Sequence, residues 1–332
     1  MTEPQTSNAG QKRWGVLLLA HGAPDRLADI PDFLLYVRGG RKLPDAAVKE
    51  ITERYAKVGG GSPLLALTNR QAESLAAFLN RGHRTGGIPK ADAPPVYVGM
   101  RNWKPFIAES VRRMAQDKVE AVVAICLAPQ NSRTSIGLYR GDLQDAVGRL
   151  APSMHVEFVE SWHDHPCLVA AFREKAEQTL ARAQAAAGGR VPVVFTAHSV
   201  PEHSIASGDP YQRQVLETAA LVARAVGLDD YRVAFQSQGM TPEPWIGPTV
   251  NSLIDEFAAA GHRHVLLVPV GFIADHIEIL YDIDVAFRDY GNARGVTVWR
   301  SESLNDSPLL IEALGAIVVE RMKQVEGRRQ AG

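Results

Sequence analysis

Two histidines in this chain stand where chemistry is expected. Each closes an apolar run and follows an alanine: Leu18-Leu19-Ala20-His21 and Phe195-Thr196-Ala197-His198. Near neutrality an imidazole takes up a proton or ligates a transition metal, although a single histidine in such a place is as readily a hydrogen-bonded strand cap. A third signal is Gly271-Phe272-Ile273-Ala274-Asp275-His276-Ile277-Glu278-Ile279-Leu280-Tyr281-Asp282-Ile283-Asp284. The pattern predicts that this stretch follows a strand and opens a helix, with Asp275 as N-cap and Glu278 completing a capping box. Asp275, Glu278 and Asp282 also fall at i, i+3 and i+7, on one helix face, and Asp289 continues the row. Like charges so placed repel unless a cation faces them. A row of carboxylates leading to a histidine suits a hard cation moving in or protons moving out, and a solvated acidic face is the plain alternative.

Other marked words are polar and turn-like. Arg38, Gly39, Gly40, Arg41 and Lys42 make a basic Gly-rich turn, and Arg54-Tyr55 precedes Gly59-Gly60-Gly61-Ser62-Pro63. The glycines allow a ligand to approach the backbone closely, and guanidinium groups pair with carboxylates through two parallel bonds. The run lacks the Lys-Ser/Thr ending of a P-loop and the preceding strand of a dinucleotide fingerprint, which argues against nucleotide phosphate as ligand.

Short β-rich apolar runs alternating with longer helical patterns must position these residues, and they predict an α/β fold of βα units around parallel sheets. The strand candidates of the first half are Trp14–Ala20, Val96–Gly99, Ala121–Leu127 and His155–Val159. Those of the second are Val191–Thr196, Arg232–Phe235, His264–Val268 and Val296–Trp299. Four answer four. The words rhyme too: the two Ala-His strand ends correspond, and Glu160-Ser161 with Pro166 and Leu168 answers Glu302-Ser303 with Pro308 and Leu310. The chain therefore reads as an internal duplication of a four-stranded unit. The expected boundaries are a disordered tail over 1–12, a first domain over 13–155, a second over 156–326 and a short tail over 327–332. Between its first two strands the first half carries an additional stretch, residues 25–71. Its place after a strand's carboxyl end makes it a candidate lip over a binding cleft.

A chain of 332 residues exceeds what one core usually serves. Its net charge of -1 gives no electrostatic case for nucleic acid or an anionic membrane. Two cysteines, Cys126 and Cys167, cannot build a disulfide framework, a four-cysteine zinc site or a conventional iron–sulfur site, so a reducing cytoplasm is the expected location. No apolar run is long enough to predict a membrane span.

The order and wording of Ala197-His198-Ser199-Val200-Pro201, Gly208-Asp209-Pro210-Tyr211, Phe235-Gln236-Ser237-Gln238-Gly239 with Trp245 and Pro248, Pro269-Val270-Gly271-Phe272, and Asp275-His276-Ile277-Glu278 with Leu280-Tyr281-Asp282-Ile283-Asp284 resembles the ferrochelatases. The resemblance runs from Trp14 to about Met322. It implies two Rossmann-like, chelatase-type domains with a porphyrin between them, His198 and Glu278 as the catalytic and metal-handling pair, and Asp282 as an accessory metal contact. The first half is most similar to the coproporphyrin III ferrochelatases of monoderm bacteria. That similarity implies porphyrin contacts at His21, Arg38, Arg54, Tyr55, Ser62 and Tyr139. The chain departs from that branch at three places. His21 stands where a tyrosine is usual and becomes a candidate axial ligand of the product's iron. Gln130 and Asn131 replace a histidine and an aromatic residue, and Ala286 replaces a carboxylate of the acidic row.

The implied reaction is insertion of ferrous iron into a porphyrin in haem biosynthesis, with coproporphyrin III as the expected substrate and protoporphyrin IX as the alternative. Iron is then a substrate. No permanently bound cofactor and no iron–sulfur cluster are expected, and the partners are the porphyrin, the iron and, transiently, neighbouring haem-pathway enzymes. With an unperturbed His198, activity is expected to fall as the pH drops through about 6.5. A non-enzymatic tetrapyrrole carrier has no need of a His–Glu pair or an acidic row. A periplasmic-type two-lobed binding protein would carry a leader that is not evident here. A cobalt or nickel chelatase would use the same residues.

Overall fold

A computed structural model describes residues 12–81, 93–239 and 242–330; the N-terminal stretch expected to be disordered lies, but for Lys12, outside them. Among the described residues, eight strands form two four-stranded parallel sheets. β1 (Trp14–Ala20), β2 (Val96–Met100), β3 (Ala121–Cys126) and β4 (His155–Val159) lie in the order β2-β1-β3-β4. β5 (Val193–His198), β6 (Arg232–Gln236), β7 (His264–Val268) and β8 (Thr297–Arg300) lie in the order β6-β5-β7-β8. The second order is the first advanced by four, so the duplication legible in the words is also a duplication of topology. β1 is buried at every position and pairs in parallel with strands on both sides. A strand covered on both faces must read as an unbroken apolar run, as Val16-Leu17-Leu18-Leu19 does.

The sheet order fixes where a ligand can sit. From β1 the chain goes to β2 on one side, and from β3 to β4 on the other, so the crevice between the carboxyl ends of β1 and β3 is a switch point. The crevice between β5 and β7 is its counterpart. Ligands of open parallel sheets bind at such points. His21 follows β1, His198 ends β5, and the segment carrying Glu278 follows β7.

The halves exchange their last helices. The helix Pro166–Ala187 leaves the first sheet and packs on β7, β8 and the helix Tyr211–Val226. The last helix, Pro308–Gln330, returns to the helix Leu64–Asn80 and to β3. One apolar core accordingly runs through both halves, from Val16, Leu75 and Val123 to Phe172, Phe195 and Leu314. The last helix continues to Gln330, into the stretch read as a tail from 327. Arg and Gln are good helix formers, and the single Gly327 does not end the helix.

The additional stretch of the first half folds as the helices Ile30–Val37 and Asp45–Lys57 and the first turns of Leu64–Asn80. It has a small core of its own, Ile30, Phe33, Leu34, Tyr55 and Trp103, against which Ile277 of the second half packs. Of the triple glycine, Gly61 carries the strictest demand: a Cβ there would lie 2.1 Å from the Asp25 carbonyl oxygen. That glycine closes the base of the lip rather than cradling a ligand.

A polar seam also joins the halves. The buried Gln130 donates from Nε2 to Thr218 Oγ1 and to the Val270 carbonyl, both at 3.1 Å. The Asn131 N–H donates to Gln214 Oε1 at 2.6 Å, and Asp209 accepts from the Arg133 N–H at 2.8 Å and from Ser132 Oγ at 3.1 Å. Gln130 and Asn131 thus serve here as inter-half fasteners.

Candidate active site

His198 ends β5 with its side chain one-third exposed. Its Nδ1 lies against the Ser199 carbonyl oxygen. A carbonyl can only accept, so Nδ1 carries the hydrogen and Nε2 is the atom offered to the site. Nε2 stands 3.6 Å from Glu278 Oε1. The His198 carbonyl accepts from the hydroxyl of buried Tyr211 at 2.9 Å, which holds the strand end from behind. Gly271 allows the segment after β7 to close on this strand end: a Cβ there would lie 2.6 Å from Ala197 Cβ and 2.7 Å from its Cα.

The segment after β7 differs from the helix expected of it. His276 is extended (φ -157°, ψ -177°), and the first helical turn is Ile277–Leu280. Asp275 is therefore not its N-cap and Glu278 closes no capping box. Asp275 instead accepts from Arg300 Nη1 (3.2 Å), Ser303 Oγ (2.7 Å) and Asn305 Nδ2 (3.0 Å). Beyond Leu280 the chain widens into a π-helical turn over Asp282–Phe287, a feature common at functional sites. This change of pitch breaks up the expected acidic row. Asp275 and Asp284 turn to Arg300, Asp289 is exposed, and Glu278 and Asp282 remain beside His198.

Extended His276 brings a second imidazole to the same carboxylate, with Nε2 3.6 Å from Glu278 Oε2. Its Nδ1 is fixed by the Ala274 carbonyl at 2.9 Å, and its ring lies 4.9 Å from that of Phe272. Glu278 thus sits between two imidazoles, each presenting Nε2. Asp282 accepts from Ser237 Oγ. Ser237 adopts a left-handed φ of 58°, a conformation costly for a non-glycine residue and commonest where function requires it.

The charges follow from this geometry. Desolvation lowers the pKa of His198, but the Glu278 carboxylate, the Ser199 carbonyl and Asp282 outweigh it and push it up to about 9. Desolvation raises Glu278, and His198 and His276 outweigh that and hold it well below the usual carboxylate range. Burial keeps Asp282 above its ordinary value. The free site is an imidazolium–carboxylate pair at neutral pH, with His198 releasing its proton well above the 6.5 of an unperturbed imidazole.

His21 stands at the matching strand end of the first half, within the electrostatic reach of Glu278 and His276. It is open to the site, yet enclosing protein desolvates it and lowers its pKa. Its Nδ1 donates to the Gly22 carbonyl (2.9 Å), and its Nε2 accepts from Asn102 Nδ2, also at 2.9 Å. From the lip, Arg54 and Lys57 stand over the Tyr281 ring, at 5.4 and 5.8 Å from its centre. Tyr55 is buried in the lip's core, where desolvation and Glu278 raise its pKa. Arg38, partly buried, follows the end of the lip helix Ile30–Val37. Ser62 is buried and accepts from the Leu64 N–H, and Tyr139 packs into the apolar core with Leu17, Leu19 and Cys126. The geometry brings together His198, Glu278, Asp282 and, across from them, His21. His276, Asn102 and Ser237 join them; His276 and Ser237 stand in words that carry the family resemblance, whereas Asn102 has no mark in the sequence.

Among the described residues no three His, Cys, Asp or Glu side chains form a ready-made metal cage, and no helix is long and apolar enough to cross a membrane. The site instead gathers a few polar donors, His198, His276, Glu278 and Asp282, at the carboxyl ends of the second sheet. This is the layout of a chelatase-type protein. The fold agrees: the sirohydrochlorin chelatase SirB from Bacillus subtilis subspecies spizizenii, solved with cobalt, superposes with a TM-score of 0.55 at 12% identity, covering 95% of this chain and 97% of that one. The ferrochelatase family model matches residues 13–322, and the chain belongs to the ferrochelatase family, the enzymes that insert iron into porphyrin in haem biosynthesis. It is 43% identical over 331 residues to a ferrochelatase of Acidobacterium capsulatum (95% of this chain, 97% of the relative). It is 33% identical over 315 residues to a coproporphyrin III ferrochelatase of Anoxybacillus flavithermus (95% and 98%).

Proposed function

We propose that this ferrochelatase acts on coproporphyrin III, with His198 and Glu278 as the pair that meets the iron and relays the pyrrole protons. The observation that carries the substrate assignment is the buried Nε of Arg38 in the lip's basic turn. Arg38 Nε is buried without a hydrogen-bond partner, and among the described residues Arg38, Arg41 and Lys42 form no salt bridge. A buried, unpartnered guanidinium N–H is costly unless an anion completes it. Coproporphyrin carries four propionates, anions of the kind that complete such a guanidinium. The similarity to a relative named coproporphyrin III ferrochelatase supports the same reading.

Metallation releases two protons from the pyrrole nitrogens as ferrous iron takes their place. His198 and Glu278 act in this as one acid–base unit holding one proton between them. That proton leaves before Nε2 can face iron or accept a pyrrole proton, and Glu278 then carries the countercharge. Asp282 stands behind as an accessory metal contact. Binding at the propionates supplies the energy that holds the ring out of plane. His21 ligates the product's iron once Asn102 releases Nε2. No resident cofactor enters this scheme. The test is a spectral turnover assay with ferrous iron, offering coproporphyrin III and protoporphyrin IX side by side to the wild type and to Arg38→Ala. Preference for coproporphyrin, reduced in the variant through a higher KM, supports the reading. Preference for protoporphyrin refutes it.

A further inference from the structure

The segment that carries Glu278 begins irregular, and its entry and exit are not fixed by sheet or regular helix. Between the end of β7 at Val268 and the first helical residue, Ile277, there is no regular structure. The helix Ile277–Leu280 is a single turn, and a π-helical turn follows it. One turn of helix is unstable alone. The Glu278 carboxylate is no anchor either, since its contacts are the two imidazoles at 3.6 Å. Its position is set by the backbone, which Gln236 Nε2 holds at the Glu278 carbonyl (3.0 Å) and the buried Ile279 and Ile283 hold in the core, leaving the two ends of the segment to be fixed.

Arg300, the last residue of β8, does this at both ends. Its guanidinium donates in a two-point fork to Asp284, from Nε to Oδ1 at 2.9 Å and from Nη2 to Oδ2 at 2.8 Å, and from Nη1 to Asp275 Oδ1 at 3.2 Å. The side chain is 13% exposed, and Asp275 and Asp284 are about one-fifth exposed, so the contacts are sheltered from solvent. Asn305 reinforces the Asp275 end: its amide donates to Asp275 Oδ2 at 3.0 Å and its Oδ1 accepts from the Asp275 N–H at 2.9 Å. The Asn305 carbonyl in turn accepts from Gln71 Nε2 of the first half at 2.6 Å. Glu278 and Asp282 lie inside the bracket, Asp275 and Asp284 form its ends, and one planar cation closes it. Lysine, a point charge, cannot span both carboxylates in this way.

We infer that Arg300 is a positioning residue for iron insertion, clamping Asp275 and Asp284 so that Glu278 and Asp282 meet His198. The inference rests on the pairing of His198 with Glu278 as the catalytic unit. It divides the acidic residues of the segment by task, with Asp275 and Asp284 holding the backbone and Glu278 and Asp282 facing the ion.

The experiment compares Arg300→Met, Arg300→Lys, Arg288→Met and Glu278→Gln in the full chain. It measures kcat and KM with ferrous iron and porphyrin, porphyrin Kd by absorbance titration, and folding by circular dichroism. Arg288 also meets Asp284, at 3.3 Å, but is exposed and does not reach Asp275, so it is the control. Misplacing a reacting group by an ångström costs about 10²-fold, so Arg300→Met is expected to lose about that much kcat with porphyrin Kd within about twofold of wild type. Arg300→Lys, which keeps the charge and folds if Met does not, is expected to lose about tenfold, and Arg288→Met to stay near wild type. A folded Arg300→Lys or Arg300→Met with wild-type kcat, beside an inactive Glu278→Gln, overturns the clamp alone. So does an equal loss of kcat and porphyrin affinity, which marks general damage. An active Glu278→Gln overturns the catalytic pair, and the clamp with it.

Discussion

Replacing Glu278 with Gln keeps the side chain's size and removes the charge 3.6 Å from His198 Nε2. A unit charge at that distance contributes about 1 kcal/mol at the dielectric of water and about 5 kcal/mol at an effective dielectric near 20. Both side chains are one-third exposed, which places the interaction in the lower half of that range. His198 is therefore expected to release its proton about one to two pH units lower in the variant than its native midpoint of about 9. The linkage has a definite sign. A folded-state pKa above the ordinary 6.5 means that His198 stabilises the fold fully below pH 6.5 and loses that contribution as the pH rises toward 9. Glu278, depressed from 4.5, stabilises above that pH and loses its contribution as the pH falls through its lowered value. Iron needs Nε2 without its proton, so binding is favoured in the opposite sense: affinity should rise about tenfold for each unit by which the pH climbs toward 9. The assay is proton NMR of the histidine ring resonances against pH, with His198→Ala assigning the signal, beside divalent-metal titrations at several pH values. A His198 midpoint that moves by less than about half a pH unit in Glu278→Gln would refute the coupling.

Other outcomes follow from single contacts. Gly271→Ala places a methyl group 2.6 Å from Ala197 Cβ and should destabilise the fold by about 1–3 kcal/mol, read from denaturant unfolding. Gln130→Ala removes two inter-half hydrogen bonds and leaves Thr218 and the Val270 carbonyl short of a partner; a loss of about 1–3 kcal/mol in the same assay is expected, with little change in kcat. His21→Ala should alter the visible spectrum of bound product more than the rate, and Asn102→Ala, which frees Nε2, should strengthen ligation; an unchanged spectrum in both removes His21 as a ligand.

The central strands β1, β3 and β5 were legible because they are short apolar runs buried almost throughout, and the rhyme of His21 with His198 survives as equivalence of β1 and β5. The exchanged helices were not legible, since Pro166–Ala187 and Pro308–Gln330 carry no local mark of which sheet they cover. Glu278 was found through its place after β7. Asp275 was assigned a capping role because spacing alone assumes a regular helix; the extended His276 delays the helix start, and Arg300, remote in sequence, captures the carboxylate. Asn102 and Arg300 act through contacts that only the folded chain creates. Ser62 and Tyr139 belonged to words matched to a porphyrin site, but burial and packing of this kind are tertiary properties.

In the function proposed above, iron insertion passes through His198. Its most direct measurement is turnover of ferrous iron and porphyrin by His198→Ala, followed in the visible spectrum, beside a porphyrin binding titration of the same protein. The expected result is no detectable insertion with porphyrin affinity close to wild type. Wild-type turnover by the variant would contradict the account.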